Sequence, residues 1–317
     1  MKITVLDAKT LGEDLDLSPL SAVGETEIYQ NTAPALVAER IADSEVVIIN
    51  KVKLNESNLS SANKLRLICI AATGYDNIDV TYCKKAGIAV CNVVGYSTDS
   101  VAQITVATVL SLACHLKEHT ASVSSGEYTR SGVANKLTPV YHELAGKTWG
   151  IIGYGNIGRK VGEIAKAFGC NVIANRQRAT DEGECVSLET LCKESDVITI
   201  HTPLNDSTRG LVSKEMIALM KSDVIIVNTA RGAVTDEAEL AHAVKAGRIG
   251  ALGSDVYSVE PFGEEHPFYE IKELPNVCFT PHMAWGAYEA RKRCLEDIIK
   301  NIKAFYSGEI RSRVDLK

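Results

Sequence analysis

The chain predicts an α/β protein built from two doubly wound units. Three observations carry that expectation. Short apolar runs alternate with helical stretches along the 317 residues, the arrangement that makes parallel sheets covered by helices. A glycine-rich turn, Gly153-Tyr154-Gly155-Asn156-Ile157-Gly158, opens a second and clearer series of such alternations. The length is also more than one apolar core ordinarily serves, so two domains are expected.

In the first hundred residues, strands are expected at 3 to 6, 46 to 49, 65 to 72 and 88 to 91. Runs this short and apolar suit a parallel sheet. Ser97-Thr98-Asp99-Ser100 then offers capping oxygens, and a nearly all-apolar helix is expected over 101 to 116. A helix apolar on so many faces must be covered on most of them, either between domains or at a subunit interface. After Gly146, six further strands are expected at 149 to 152, 172 to 174, 197 to 200, 224 to 227, 251 to 256 and 277 to 279. Helical segments separate them, as in a complete doubly wound sheet. An amphipathic helix over 287 to 306 closes the pattern and is long enough to pack back on the first unit.

Composition excludes several classes of partner. The formal charge is -6, with 34 basic and 40 acidic residues intermixed, so no basic stripe points to nucleic acid. No apolar run approaches membrane-spanning length, and the start of the chain reads as a strand rather than a signal peptide, so a cytoplasmic location is expected. The nine cysteines lack CxxC spacing, and several lie in apolar runs such as Leu67-Ile68-Cys69-Ile70. They read as reduced, buried thiols, and no metal site is expected.

The glycine turn follows an expected strand and precedes a helix carrying Val161, Ile164, Ala165 and Phe168. In that setting Gly153, Gly155 and Gly158 allow a tight turn, a close approach to a pyrophosphate and close helix packing, while the helix N-terminus attracts the anion. A dinucleotide site usually places a carboxylate about twenty residues later to bind the adenosine ribose. Here Arg176 stands at that place, with Asn175 and Arg178 beside it. A guanidinium cannot accept hydroxyl hydrogens but grips a 2'-phosphate well, so NADP(H) is the favoured cofactor and NAD(H) the alternative.

Three segments place reactive residue types just after expected strands: Asn228-Thr229-Ala230-Arg231-Gly232, Asp255-Val256-Tyr257-Ser258-Val259-Glu260-Pro261 and Thr280-Pro281-His282-Met283-Ala284-Trp285. An arginine, a carboxylate and a histidine at one sheet edge suit reduction of a ketoacid. Arg231 would bind the carboxylate and polarise the ketone. His282 would supply the proton, with Glu260 favouring its charged form.

With these residues stated, the chain resembles the D-isomer-specific 2-hydroxyacid dehydrogenase family over essentially its whole length. The likeness rests on "ATGYDNID" (72 to 79), "GYSTDSVAQ" (95 to 103), "GIIGYGNIGR" (150 to 159), "HTPLNDSTRGL" (201 to 211), "NTARGAV" (228 to 234), "DVYSVEP" (255 to 261) and "TPHMAW" (280 to 285). The resemblance implies that Arg231, Glu260 and His282 are catalytic and that backbone amides at Thr73 and Gly74 bind the substrate. It places cofactor contacts on Asn156, Ile157, Thr202, Pro203, Thr208, Thr229, Ala230 and Asp255. It also implies a Rossmann-type nucleotide domain (101 to 285) inserted into a flavodoxin-like substrate domain (1 to 100 and 286 to 317), an active site in the cleft, and a homodimer that buries the apolar helix. "GYSTDSVAQ" and "TPHMAW" look most like the glycerate dehydrogenase, or hydroxypyruvate reductase, branch, so hydroxypyruvate or glyoxylate is the implied substrate. Arg176 departs from the acid of NAD-using relatives.

Two other readings remain at this point. One keeps the enzyme and changes the substrate to D-lactate, another 2-hydroxy acid or phosphoglycerate, although phosphoglycerate enzymes commonly add a regulatory domain for which no residues remain. The other is a nucleotide-sensing interaction protein like the transcriptional corepressors that share this fold, which carry extra disordered tails, whereas this sequence stops soon after its final expected helix.

Overall fold

The computed structural model describes residues 1 to 176 and 185 to 316. The chain divides into two compact units, one formed by Met1–Ser97 with Gly286–Lys317 and the other by Thr98–Trp285.

In the first unit, β1 (Lys2–Val5), β2 (Glu25–Ile28), β3 (Val46–Ile49), β4 (Leu67–Ile70) and β5 (Ala89–Cys91) form one parallel sheet in the order β2-β1-β3-β4-β5, the flavodoxin-like order. All four residues of β3 and all four of β4 are buried, which is why both strands are apolar throughout rather than alternating. The helices between strands are short: α1 (Val37–Ile41), α2 (Glu56–Leu59) and α3 (Val80–Ala86). The limits of α3 are written locally, since the Asp79 carboxylate accepts the Tyr82 N–H at its start and Gly87 turns left-handed at its end. The closing helix α11 (Tyr288–Ser307) lies on β4. It buries Ala290, Cys294, Leu295, Ile298 and Ile302, a stripe at helical spacing. Beyond it, Asp315 accepts the Val90 N–H at 2.9 Å and is paired with Arg313, tying the end of the chain to β5.

β2 was not among the expected strands. Glu25-Thr26-Glu27-Ile28 carries too little apolar character to signal one, and it survives because it needs none: it is a largely solvated edge strand held by its ladder to β1.

In the second unit, β6 (Thr148–Ile152), β7 (Asn171–Asn175), β8 (Val197–Ile200), β9 (Ile225–Asn228), β10 (Ala251–Ser254) and β11 (Val277–Phe279) form a parallel sheet in the order β11-β10-β9-β8-β6-β7. Successive residues point to opposite faces. Ile151, Val197, Val227 and Ala251 join one core cluster with α4 (Thr98–Ala113) and α7 (Asn156–Ala167). Their neighbours Ile152, Ile198, Ile226 and Leu252 join the other, with α8 (Leu188–Glu194), α9 (Lys214–Ala218) and α10 (Glu237–Lys245).

Two expectations about α4 are corrected. It begins at Thr98, so the capping oxygens lie in its first turn, and it stops at Ala113, where His115 takes a positive φ of 48° before α5 (Leu116–Ser124) begins. Its buried residues Val101, Ala102, Val106, Val109 and Leu112 are covered by α7 and the sheet of the same unit. The apolar helix therefore needs no partner subunit to cover it. All nine cysteines are free thiols, six of them buried. Among the described residues no single helix is long and apolar enough to cross a membrane.

Candidate functional site

Because the second sheet is wholly parallel, the segments after β6 to β11 all leave from one edge. The glycine turn comes first. Gly153 has a φ of +94°, and a Cβ there would lie 2.5 Å from the Thr202 nitrogen, so both backbone shape and space demand glycine. A Cβ on Gly158 would lie 2.3 Å from the Gly153 carbonyl oxygen, whereas at Gly155 nothing lies within 4 Å. The turn is thus tight on the protein side and open at Gly155, where α7 starts without a side-chain cap. Uncapped N–H groups of Asn156, Ile157 and Gly158 beside open space form a cradle that fits a dinucleotide pyrophosphate.

On the adenosine side, Arg176 stands just past β7 with its side chain exposed. Asn175 is less available than expected: its amide donates to the Val186 carbonyl at 3.1 Å, which closes the end of β7. Arg178 lies outside the described residues. Beyond β8, Thr202 is buried and Pro203 exposed. Thr208 is fully buried, and its hydroxyl donates to the Pro203 carbonyl at 2.6 Å while accepting the Asn205 N–H at 2.8 Å. Its hydroxyl thereby fastens the 202 to 208 loop.

The turn after β9 is fastened by Asn228. Its side-chain oxygen accepts the Ala230 N–H at 3.0 Å and its NH2 donates to the Arg231 carbonyl at 2.9 Å. Thr229, Ala230 and Arg231 are partly exposed on that turn, and one Arg231 nitrogen donates to the Ala230 carbonyl at 2.8 Å. Gly232 permits a close crossing, because a Cβ there would sit 2.1 Å from the Tyr257 carbonyl carbon and 2.2 Å from the Ser258 nitrogen. The Arg231 turn and the segment leading to Glu260 therefore lie backbone against backbone.

Glu260 and His282 meet as expected, with Nδ1 of His282 2.6 Å from Oε2 of Glu260. The other carboxylate oxygen, Oε1, accepts the Tyr257 N–H at 3.0 Å. His282 occupies the left-handed region, with φ 53°, an unusual shape for a non-glycine residue. Asp255 imposes that turn. It is buried, and its two oxygens accept the Thr280 hydroxyl at 2.6 Å and the Met283 and Ala284 N–H groups at 2.9 Å. Besides the cofactor contact the resemblance implies there, Asp255 thus clamps the His282 turn with both oxygens. Trp285 adds an indole N–H to the His282 carbonyl at 3.1 Å.

A second carboxylate–imidazole pair, missed in the sequence, lies behind the first. Glu237, at the start of α10, accepts the Ser258 N–H at 3.0 Å and lies 3.0 Å from Nε2 of buried His266. Since Nδ1 of His266 accepts the Phe268 N–H at 3.2 Å, Nε2 carries the proton given to Glu237. The pair anchors the loop bearing Glu260. No periodicity signals it, because buried polar partners far apart in sequence leave no local pattern. Asn228 was visible beside Arg231, but its fastening role was not. In the first unit, Thr73 and Gly74 follow β4, and Asn92 donates to the Thr73 carbonyl at 2.7 Å while the Thr73 hydroxyl donates to that of Val93 at 2.8 Å.

Residues 106–284 match the family described as D-isomer specific 2-hydroxyacid dehydrogenase, NAD binding domain. The chain is 37% identical over 317 residues to a hydroxypyruvate reductase of Blautia hydrogenotrophica, across 97% of this chain and 98% of that one. To a glycerate dehydrogenase of Methylorubrum extorquens it is 34% identical over 315 residues, across 99% of each. Among solved structures it resembles an acyclic imino acid reductase in complex with NADPH and D-arginine, with a TM-score of 0.88 and 28% identity across 99% of this chain and 100% of that one.

Proposed function

Because the chain belongs to the D-isomer specific 2-hydroxyacid dehydrogenase family, we propose that it reduces hydroxypyruvate to D-glycerate, and glyoxylate to glycolate, with NADP(H) preferred over NAD(H). The observation that carries this reading is the 2.6 Å Glu260–His282 pair, held by Asp255 on the same sheet edge as Arg231 and the glycine turn.

The backbone N–H groups of Asn156, Ile157 and Gly158 hold the pyrophosphate, and Arg176 meets the 2'-phosphate of the adenosine ribose. Bound there, a reduced nicotinamide supplies the hydride. Arg231 binds the ketoacid carboxylate and draws electron density toward the ketone oxygen. Glu260 keeps the His282 ring oriented through Nδ1, so the proton that completes the alcohol leaves from Nε2. Backbone amides of the Thr73–Gly74 turn bind the substrate carboxylate. A homodimer belongs to the same reading, its contact including Val133, Leu137 and Val140, which the core leaves exposed; light scattering on the purified protein checks it.

Parallel steady-state assays with NADPH and NADH test the proposal, each against hydroxypyruvate, glyoxylate and pyruvate. The expected result is the highest kcat/KM with hydroxypyruvate and NADPH. Arg176→Gln should then weaken NADPH by about tenfold or more, the loss of one charge-assisted hydrogen bond of ~1.5–3 kcal/mol, and leave NADH nearly unchanged. Equal use of both cofactors by the wild type would remove Arg176 from the phosphate site, and a clear preference for pyruvate would replace the substrate.

A further inference from the structure

His201 follows β8 directly, and its main chain packs against the glycine turn: a Cβ on Gly153 would lie 2.6 Å from the His201 carbonyl carbon. Burial pushes the imidazole down to about 3, so the ring is neutral at any working pH and carries one proton. Which nitrogen holds it follows from the hydroxyls behind the ring. The Thr105 hydroxyl donates its single hydrogen to the Val101 carbonyl of α4 at 2.8 Å. At its 3.0 Å contact with Thr229 it can therefore only accept, and the Thr229 hydrogen points toward Thr105. Thr229 must then accept from His201 Nδ1, 3.3 Å away. The directions run one way, from Nδ1–H through Thr229 and Thr105 to a helix carbonyl.

Nε2 is consequently a bare acceptor. It is also buried, and no described residue partners it. A buried acceptor left unmatched is costly, which points to a donor supplied from elsewhere. The sheet order indicates the source. With β8 next to β6 and β7 on its far side, His201 and Gly153 flank the point where the strand order reverses, the crevice where doubly wound sheets bind dinucleotides. Arg176, past β7, lies on the opposite side of the glycine turn from His201.

We propose that His201 Nε2 is a fixed hydrogen-bond acceptor for the nicotinamide-nucleotide half of the dinucleotide, taking a hydrogen from a ribose hydroxyl or from the carboxamide amine. This rests on dinucleotide binding by the second unit and not on the identity of the ketoacid.

Calorimetric titration of the purified protein with NADH, ADP-ribose and ADP tests it without turnover. His201→Phe keeps an aromatic ring and removes the acceptor. Its Kd for NADH should rise about tenfold, a loss of ~1.4 kcal/mol, with ADP binding unchanged. His201→Gln, whose amide oxygen restores an acceptor, should recover most of the NADH affinity. A matching loss for ADP-ribose assigns the bond to the ribose, and retained ADP-ribose affinity assigns it to the carboxamide. Unchanged NADH affinity in His201→Phe, or equal losses for NADH and ADP that His201→Gln does not repair, would overturn the proposal.

Discussion

Asp255 shows how one side chain can fix the backbone shape of a residue it does not adjoin in sequence. Its carboxylate holds the hydroxyl and N–H donors on either side of His282, and so maintains the positive φ at that residue. Asp255→Asn places an NH2 where one of those donors needs an acceptor. Because misplacing a reacting group by about 1 Å costs on the order of a hundredfold, kcat for ketoacid reduction should fall by about that factor. Cofactor affinity should stay within about twofold if the carboxylate serves the turn alone. Titration of the variant with NADPH checks the second half, and a large loss of affinity would return Asp255 to the cofactor. At this scale the sequence was informative about residue type and silent about partnership. Arg231, Glu260 and His282 were readable because each follows an apolar strand. The tasks of Asp255, Thr208 and Asn175 were not, since they depend on which backbone groups the fold brings within 3 Å or so of each side chain.

At the scale of elements, the site depends on two turns crossing with no room between them. Ala at position 232 would place its Cβ 2.1 Å from Tyr257 and within 2.6 Å of the Glu237 carboxylate, so the β10 segment has to move away. Gly232→Ala should therefore cost ~1–3 kcal/mol as an overpacked site and lower kcat/KM by more than tenfold, measured by urea unfolding and steady-state kinetics together. Retained activity would mean that the crossing is slack. The elements themselves were largely legible. Every strand of the second sheet announced itself as an apolar run bounded by turn residues, and α11 (Tyr288–Ser307) lies one residue from the amphipathic helix expected over 287 to 306. The failures have local causes. β2 is polar because it is a solvated edge, and the break between α4 and α5 rests on a left-handed His115, a backbone choice that hydrophobic pattern does not encode.

The whole molecule carries a pH dependence set by its buried thiols. Burial raises Cys83, Cys91 and Cys192 to about 11 and Cys294 to about 12. In the unfolded chain these thiols ionise near the ordinary value of ~8.5, while in the folded protein they cannot. Their contribution to stability is thus full below that value and is lost as pH rises through about 11. Urea midpoints should hold between pH 7 and 8 and fall steadily from pH 9 to 11, and Cys192→Ala should flatten part of that slope. A flat profile would mean that the thiols ionise in place. Composition had already marked these cysteines as core residues, and the two-unit organisation was visible in the pair of strand series.

The central claim is that His282, oriented by Glu260, delivers the proton in ketoacid reduction. The most direct measurement compares single-turnover reduction of hydroxypyruvate by the wild type, Glu260→Gln and His282→Gln, each pre-loaded with NADPH whose binding is confirmed by titration. The account predicts intact cofactor binding in all three, with rates lowered by ~10²–10⁴-fold for His282→Gln and by a smaller factor for Glu260→Gln. Wild-type rates in His282→Gln would contradict it and leave the 2.6 Å pair as a structural contact.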